Sequence, residues 1–346
     1  SIDFDNRQIL TDRGPVEYDY LILAIGSVPA FYGIPSIERQ AHALKELNDA
    51  VALRNHILVA FERASTEPDP QVRKALMTFV VVGAGPTGVE FAGSLAVLVY
   101  HALRRDYPGL RVEESRVALI EASDQILSSF PQPLQRYAHR RLKHLGVEVM
   151  LNTPVVGAET GRVLFENGSE IASHTLFWAA GVQAGPLIDA LPISKTRSRR
   201  IPVTPELTLE GHPEVFAVGD IAHVEQDGEP LLMVAPVALQ EGEYVAETVL
   251  ARERGEPVAP FRYHSRGNMA IIGRYAAVAD AYGVHLRGLT AWAVWLGLHL
   301  YYLIGFRNRL MALLNWAYDY LLVDPKLRLI TQELEHFSHQ PKSEDG

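Results

Sequence analysis

Residues 78–96 read TFVVVGAGPTGVEFAGSLA, and this stretch decides the fold. Phe79, Val80, Val81 and Val82 form an apolar, largely β-branched run of the kind found in a strand buried on both faces. The run stops at Gly83, and Gly85 and Gly88 follow at the spacing of a strand, tight turn and helix that bind a dinucleotide. In that pattern Gly83 permits the turn, Gly85 lets the backbone approach a pyrophosphate, and Gly88 lets the helix pack closely on the strand. Pro86 falls at the first helical position, where its missing N–H has no intrahelical partner to lose and its fixed dihedral helps. The start of the helix offers free amides and a positive dipole end to an anion. Gly83, Gly85, Pro86, Thr87 and Gly88 are therefore expected to hold a cofactor.

Outward from the fingerprint, residues 116–121 (RVALIE) read as the next strand and place Glu121 at its carboxyl end. A carboxylate there accepts from both ribose hydroxyls and repels a 2′-phosphate, which favours NADH over NADPH. The polar insert 106–115 explains the long spacing from the fingerprint. Two more apolar runs end in glycine turns. Residues 20–25 lead through Ala24 to Gly26-Ser27, and residues 215–218 lead to Gly219-Asp220. A carboxylate at a strand's carboxyl end suits a polyol or ribose, with a plain Gly-Asp turn as the alternative. Residues 43–64, 131–145 and 236–250 show helical periodicity, the last with Gln240 and Glu241 in its first turns. Residues 2–13 read as a hairpin arm closed by Gly14-Pro15, residues 65–71 as a linker, and residues 269–283 as two strands.

Composition removes whole classes of function. A net charge of −9 supplies no broad basic face for nucleic acid. The absence of cysteine excludes disulfide-reductase chemistry, iron–sulfur clusters, thiolate zinc sites and cysteine nucleophiles in this chain, and no metal site is expected. Residues 1–19 are polar rather than basic then apolar, so no signal peptide is read there and a cytoplasmic compartment is expected.

Residues 289–323 hold three of the four tryptophans. One span through them would put Arg307 and Arg309 inside a bilayer at about 2.5–3.5 kcal/mol each. Amphipathic helices lying on a membrane surface are expected instead, with a buried or dimerising helix pair, and hence a homodimer, as one alternative and a true membrane span as another.

These pieces in order resemble the type II NADH dehydrogenases, the single-subunit FAD-dependent NADH:quinone oxidoreductases. The resemblance runs through YDYLILAIGS, LKELNDAVALRNHIL, VVVGAGPTGVEFAGSL, WAAGV, VFAVGDIA, APVALQEG and GNMAIIGRYAAVAD to LHLYYLIGFRNRL. It implies an α/β chain of two doubly wound, Rossmann-like domains for FAD and NADH, with C-terminal amphipathic helices. The implied division is 1–40 for part of the FAD domain, 41–75 for a linking helix, 76–182 for the NADH domain and 183–285 for the rest of the FAD domain. Residues 286–332 would form the membrane-docking helices and 333–346 a loose tail. Ala24, Gly26, Gly219, Asp220 and Val237 would then serve FAD, Gly181 and Val182 the nicotinamide side, and Glu90 and Gln240 the chemistry. The partners implied are NADH, a membrane quinone and the cytoplasmic face of the cell membrane.

The chain departs from the family pattern in two places. It carries one glycine fingerprint where the family has two, so an N-terminally truncated member with weakened FAD affinity is expected. In APVALQEG, Pro236 stands where many members have a glutamine, so a two-glutamine quinone site does not carry over. The rival readings are a soluble flavin-dependent NAD(P)H reductase of another acceptor and a catalytically incomplete NADH-binding fragment.

Overall fold

The computed structural model describes residues 1–321. The expected tail 333–346, and residues 322–332 of the expected docking segment, lie outside the described residues. The chain divides into two compact units: residues 1–30 with 181–266, and residues 31–180 with the segment from 267 onward.

The second unit contains the fingerprint. Its sheet runs Ala41–His42, Thr175–Trp178, Thr78–Val82, Arg116–Ile120, Val147–Met150, every neighbour parallel. The strand order steps outward from the fingerprint strand to both sides, as a doubly wound α/β sheet does. The apolar run 79–82 is explained by its two faces. Phe79 and Val81 pack with Phe61, Val89, Ala92 and Leu134 from the helices, while Val80 and Val82 pack with Ile37, Val163 and Phe165. The second face is covered by a three-stranded antiparallel sheet, Val155–Glu159, Arg162–Phe165 and Glu170–Ala172. Helix Leu47–Thr66 starts with a reciprocal capping box between Glu46 and Asp49 and buries Leu53, Ile57, Leu58 and Phe61.

In the first unit Leu21–Leu23 pairs in parallel with His212–Ala217, and Thr208–Leu209 adds an antiparallel strand. Leu21 and Leu23 are buried while Ile22 is 50% exposed, because alternate side chains of the strand point to opposite faces and only one face is covered. Helix Ala235–Glu253 packs on the turn Gly219–Ile221. The N-terminal arm is a three-stranded meander whose turn falls at residues 12–13, so Gly14 and Pro15 open the third strand rather than close the arm.

The unit boundaries differ from the expected division. Residues 31–40 lie in the second unit because Ile37 is buried against Val80 and Val82. Gly181 and Val182 open the first unit, where Val182–Ala184 pairs antiparallel with Ser27–Pro29. Residues 267–285, expected with FAD, fold onto the fingerprint helix: Ala270, Ile272 and Val278 share one core with Phe79 and Ala92. The two strands expected across 269–283 are Asn268–Ile271 and Ala277–Ala281, and a third, Val284–Gly288, follows them.

Two helices follow, Leu289–Tyr302 and Phe306–Leu321. They break at Gly305, whose φ is +85°, and Arg309 closes the first helix by donating to the carbonyls of Leu303 and Tyr301. Among the described residues no helix is long and apolar enough to cross a membrane.

Candidate functional site

The fingerprint turn is built by close backbone approach. Gly83 has φ +97°, and a Cβ there would lie 2.6 Å from the Ala179 carbonyl. A Cβ on Gly88 would lie 1.8 Å from the Gly83 oxygen, so the helix can start against the strand only with hydrogen at that position. Around Gly85 there is open space, with nothing within 4 Å of where a Cβ would be. Helix Pro86–Val97 begins there with Gly85 as N-cap, no side-chain cap and no acid in its first turn. Its start is thus left to an anion, and the cradle fits a pyrophosphate. Thr87 makes no capping bond, which agrees with a helix that starts one residue earlier at Pro86.

Glu121 reaches back to this turn. Ala84 N–H donates to its Oε2 at 2.7 Å, and Ser123 donates to Oε1 from both N–H and hydroxyl at 2.9 Å. These bonds fix the carboxylate beside the cradle and leave lone pairs for hydroxyl donors. Sequence reasoning missed Ser123, although a serine two residues beyond an acid is a recognisable turn signal.

Glu90 faces the other side of the helix. It is half-buried, its Oε1 accepts from the N–H of Ile271 at 3.0 Å, and burial raises its pKa. The glutamate is therefore the polar link between the fingerprint helix and the strand at 268–271. Gly93, which sequence reasoning passed over, makes that packing possible, since a Cβ there would lie 2.9 Å from the Gly273 nitrogen.

The first unit brings together Gly26, Ser27, Gly219, Asp220 and Glu241. Ser27 hydroxyl donates to Asp220 Oδ2 at 2.5 Å, and Gly219 N–H donates to Glu241 Oε2. Gly26 has φ +68° and open space where a side chain would be, and Ala24 is exposed. An oriented carboxylate beside an open glycine turn fits the polyol of FAD. Val237 is buried, its N–H bonded to the Val234 carbonyl, so it contributes to the start of its helix. Gln240 is engaged at both ends: its amide donates to the His264 carbonyl at 3.0 Å and accepts from the His264 N–H at 2.9 Å. Gln226 pairs with Tyr263 in the same two-way fashion, so two glutamines hold the extended segment 257–266 as a strand partner would. A groove of about 480 Å³ lies between this segment and helix Ala235–Glu253.

A parallel sheet with a glycine cradle at the end of one strand and a ribose-directed carboxylate at the end of the next defines an α/β dinucleotide-binding protein. The pattern described as pyridine nucleotide-disulphide oxidoreductase matches residues 1–242. A type II NADH:quinone oxidoreductase of Mycobacterium tuberculosis is 38% identical over 315 residues, covering 88% of this chain and 67% of that protein. The type II NADH:quinone oxidoreductase of Staphylococcus haemolyticus is 31% identical, covering 84% and 72%. A structure of NDH2 from Plasmodium falciparum in complex with NADH superposes with a TM-score of 0.84 at 17% identity, over 96% of this chain and 84% of that one, and supports the fold. The chain belongs to the type II NADH:quinone oxidoreductases.

Proposed function

We propose that the protein is an FAD-dependent, non-proton-pumping NADH:quinone oxidoreductase; the FAD it would hold would supply a hydride acceptor for NADH and a two-electron donor for a membrane quinone. The observation that carries this reading is the open cradle at Gly85 with Glu121 held beside it by the fingerprint's own Ala84 amide. The Gly83–Gly88 turn binds the NADH pyrophosphate, Glu121 the ribose hydroxyls, and Gly181-Val182 the nicotinamide side. Gly26, Gly219 and Asp220 orient the polyol of FAD, with Ala24 and Val237 completing that site. Glu90, a half-buried carboxyl on the fingerprint helix, lies on the nicotinamide side and influences binding there. Gln240 acts on the quinone side by holding the segment 257–266. Orientation of both substrates and exclusion of water are the protein's contributions.

Residues 286–332 dock the protein on the cytoplasmic membrane face. The described helices of this segment expose Ile304 at 87%, Phe306 at 80% and Tyr301 at 69%, with Leu313 and Leu314 half exposed. Aromatic and aliphatic side chains presented in this number suit the interfacial region of a bilayer.

The test is NADH oxidation by the purified protein supplied with FAD and a short-chain quinone. Quinone-dependent loss of NADH absorbance with a bound flavin spectrum is expected. No flavin binding, or NADH oxidation that quinone does not accelerate, would overturn the reading.

A further inference from the structure

Glu241 has no place in the function described above, yet it is the most completely buried acid in the first unit. The residue is 0% exposed, on the second turn of helix Ala235–Glu253. Its two oxygens differ. Oε2 accepts the N–H of Gly219, while Oε1 is enclosed and accepts no hydrogen bond. Gly219 sits at φ +71° immediately before Asp220, the carboxylate oriented toward the flavin polyol, and a Cβ at Gly219 would touch Ala238 on the same helix. The helix therefore grips the turn at one backbone amide, through one carboxyl oxygen.

The charges acting on Glu241 are Asp220, which disfavours its ionisation, and Arg200, which favours it. Burial is the largest influence and disfavours the charge; the Gly219 bond and Arg200, whose guanidinium is held by the carbonyls of Ala222 and Leu231, oppose burial only in part. An ionised Glu241 would thus place a second, poorly solvated negative charge behind Asp220, with one oxygen unpaired. A proton on Oε1 removes that charge and leaves the Oε2 grip on Gly219 intact.

We propose that Glu241 is a proton-linked positioning residue for FAD: ionised, it adds a second buried negative charge behind Asp220, and neutral, it lifts that charge while its Oε2 still accepts from the Gly219 amide and sets Asp220 for the polyol. The proton is exchanged with solvent water, and no bond to FAD is made or broken. Burial supports this by pushing its pKa up to about 7. FAD seated on the turn excludes water from it, which disfavours the ionised form further, so binding takes up a proton. The inference rests on the reading of this turn as the flavin side.

The test measures FAD affinity of the full chain by flavin fluorescence from about pH 6 to about pH 9, for the native protein, Glu241→Gln and Glu241→Ala. Proton-linked binding predicts a dissociation constant that is flat below neutrality and rises by up to ~tenfold per pH unit above it. Glu241→Gln, neutral at every pH and still able to accept from Gly219, should bind like the acidic native protein throughout. Glu241→Ala should bind more weakly at all pH values. An infrared titration of the flavin-free protein gives a second readout: a protonated carboxyl band present near pH 6, fading through neutrality and absent in Glu241→Gln. FAD binding with the same pH dependence in native protein and Glu241→Gln, or a band that Glu241→Gln leaves in place, overturns the proposal. Absence of FAD binding at every pH overturns instead the assignment of the turn to flavin, and the infrared titration alone then decides whether Glu241 carries the proton.

Discussion

On the proposed reading a single carboxylate, Glu121, sets the choice of nicotinamide cofactor. Glu121 is tied to Ala84 and Ser123 before any ligand arrives, so its orientation costs nothing on binding. Glu121→Gln should weaken NADH binding by about ten- to a hundredfold, the value of one or two hydrogen bonds to a charged acceptor, and should narrow the preference over NADPH. Ser123→Ala, which removes only one support, should raise the KM for NADH severalfold with kcat little changed. Steady-state kinetics with both cofactors distinguishes these, and an unaltered protein that uses NADPH as well as NADH would remove the assignment. Glu90 is the second case. A carboxyl whose pKa rises on folding stabilises the fold at pH values below its unfolded pKa and loses that contribution as pH rises through the folded value. Glu90→Gln keeps the acceptor for Ile271 and cannot ionise, so its melting temperature near pH 8 should equal or exceed that of the native protein. Its NADH oxidation should nevertheless change. Unchanged oxidation with a lower melting temperature would make Glu90 a purely structural link.

At the scale of elements, the fingerprint helix is held by two glycines with different neighbours. Gly88→Ala drives a methyl into the Gly83 carbonyl, while Gly93→Ala drives one into the backbone at Gly273. Each overpacking should destabilise by about 1–3 kcal/mol, and Gly88→Ala should also abolish NADH binding because the cradle itself must move. Denaturant melts with NADH titration separate the two effects. Helix Leu47–Thr66 carries a different liability. The His56 ring lies tilted against His42 with centroids 4.4 Å apart, its Nε2 lies 3.0 Å from Thr175 Oγ1, and burial drops its pKa from 6.5 to about 4. The unfolded chain takes up this proton first, so stability is complete above pH 6.5 and falls as pH drops toward 4. The loss should amount to about 3 kcal/mol across that window. Replacing His56 by Gln should flatten the acid limb of a stability-against-pH curve, and an unchanged limb would place the sensitivity elsewhere.

For the whole molecule, the proposed ligand and membrane functions fall on separate stretches of chain. NADH should slow amide exchange around residues 83–90 and 121–123, and FAD around 26–27 and 219–221. Protection by NADH centred on 219–221 would reverse the assignment of the two turns. Membrane attachment should depend on the apolar break between the last two helices. Ile304→Glu with Phe306→Glu should reduce co-sedimentation with lipid vesicles severalfold or more and leave NADH binding unchanged, because both side chains are exposed and pack on nothing in the nucleotide cradle.

The sequence by itself determined what is encoded within about ten neighbouring residues. The buried run 79–82, the turn at Gly83, the helix start at Pro86 and the acid closing the next strand all follow from side-chain bulk, permitted dihedrals and hydrophobic period, and each was legible in order. The family, and with it the cofactors, was legible for the same reason, since such local motifs recur in sequence. Only the tertiary structure decided which distant residues meet. Residues 267–288 fold onto the fingerprint helix because Gly93 leaves room for Gly273 and Glu90 offers an acceptor to Ile271, a pairing 181 positions apart that no local pattern signals. Glu241 likewise read as one more polar residue near the start of a helix, and its burial beneath Gly219 exists only once that helix has docked on the turn. Local preference selects among a few backbone shapes, whereas burial and hydrogen-bond pairing across the chain depend on how all the elements fill one space together.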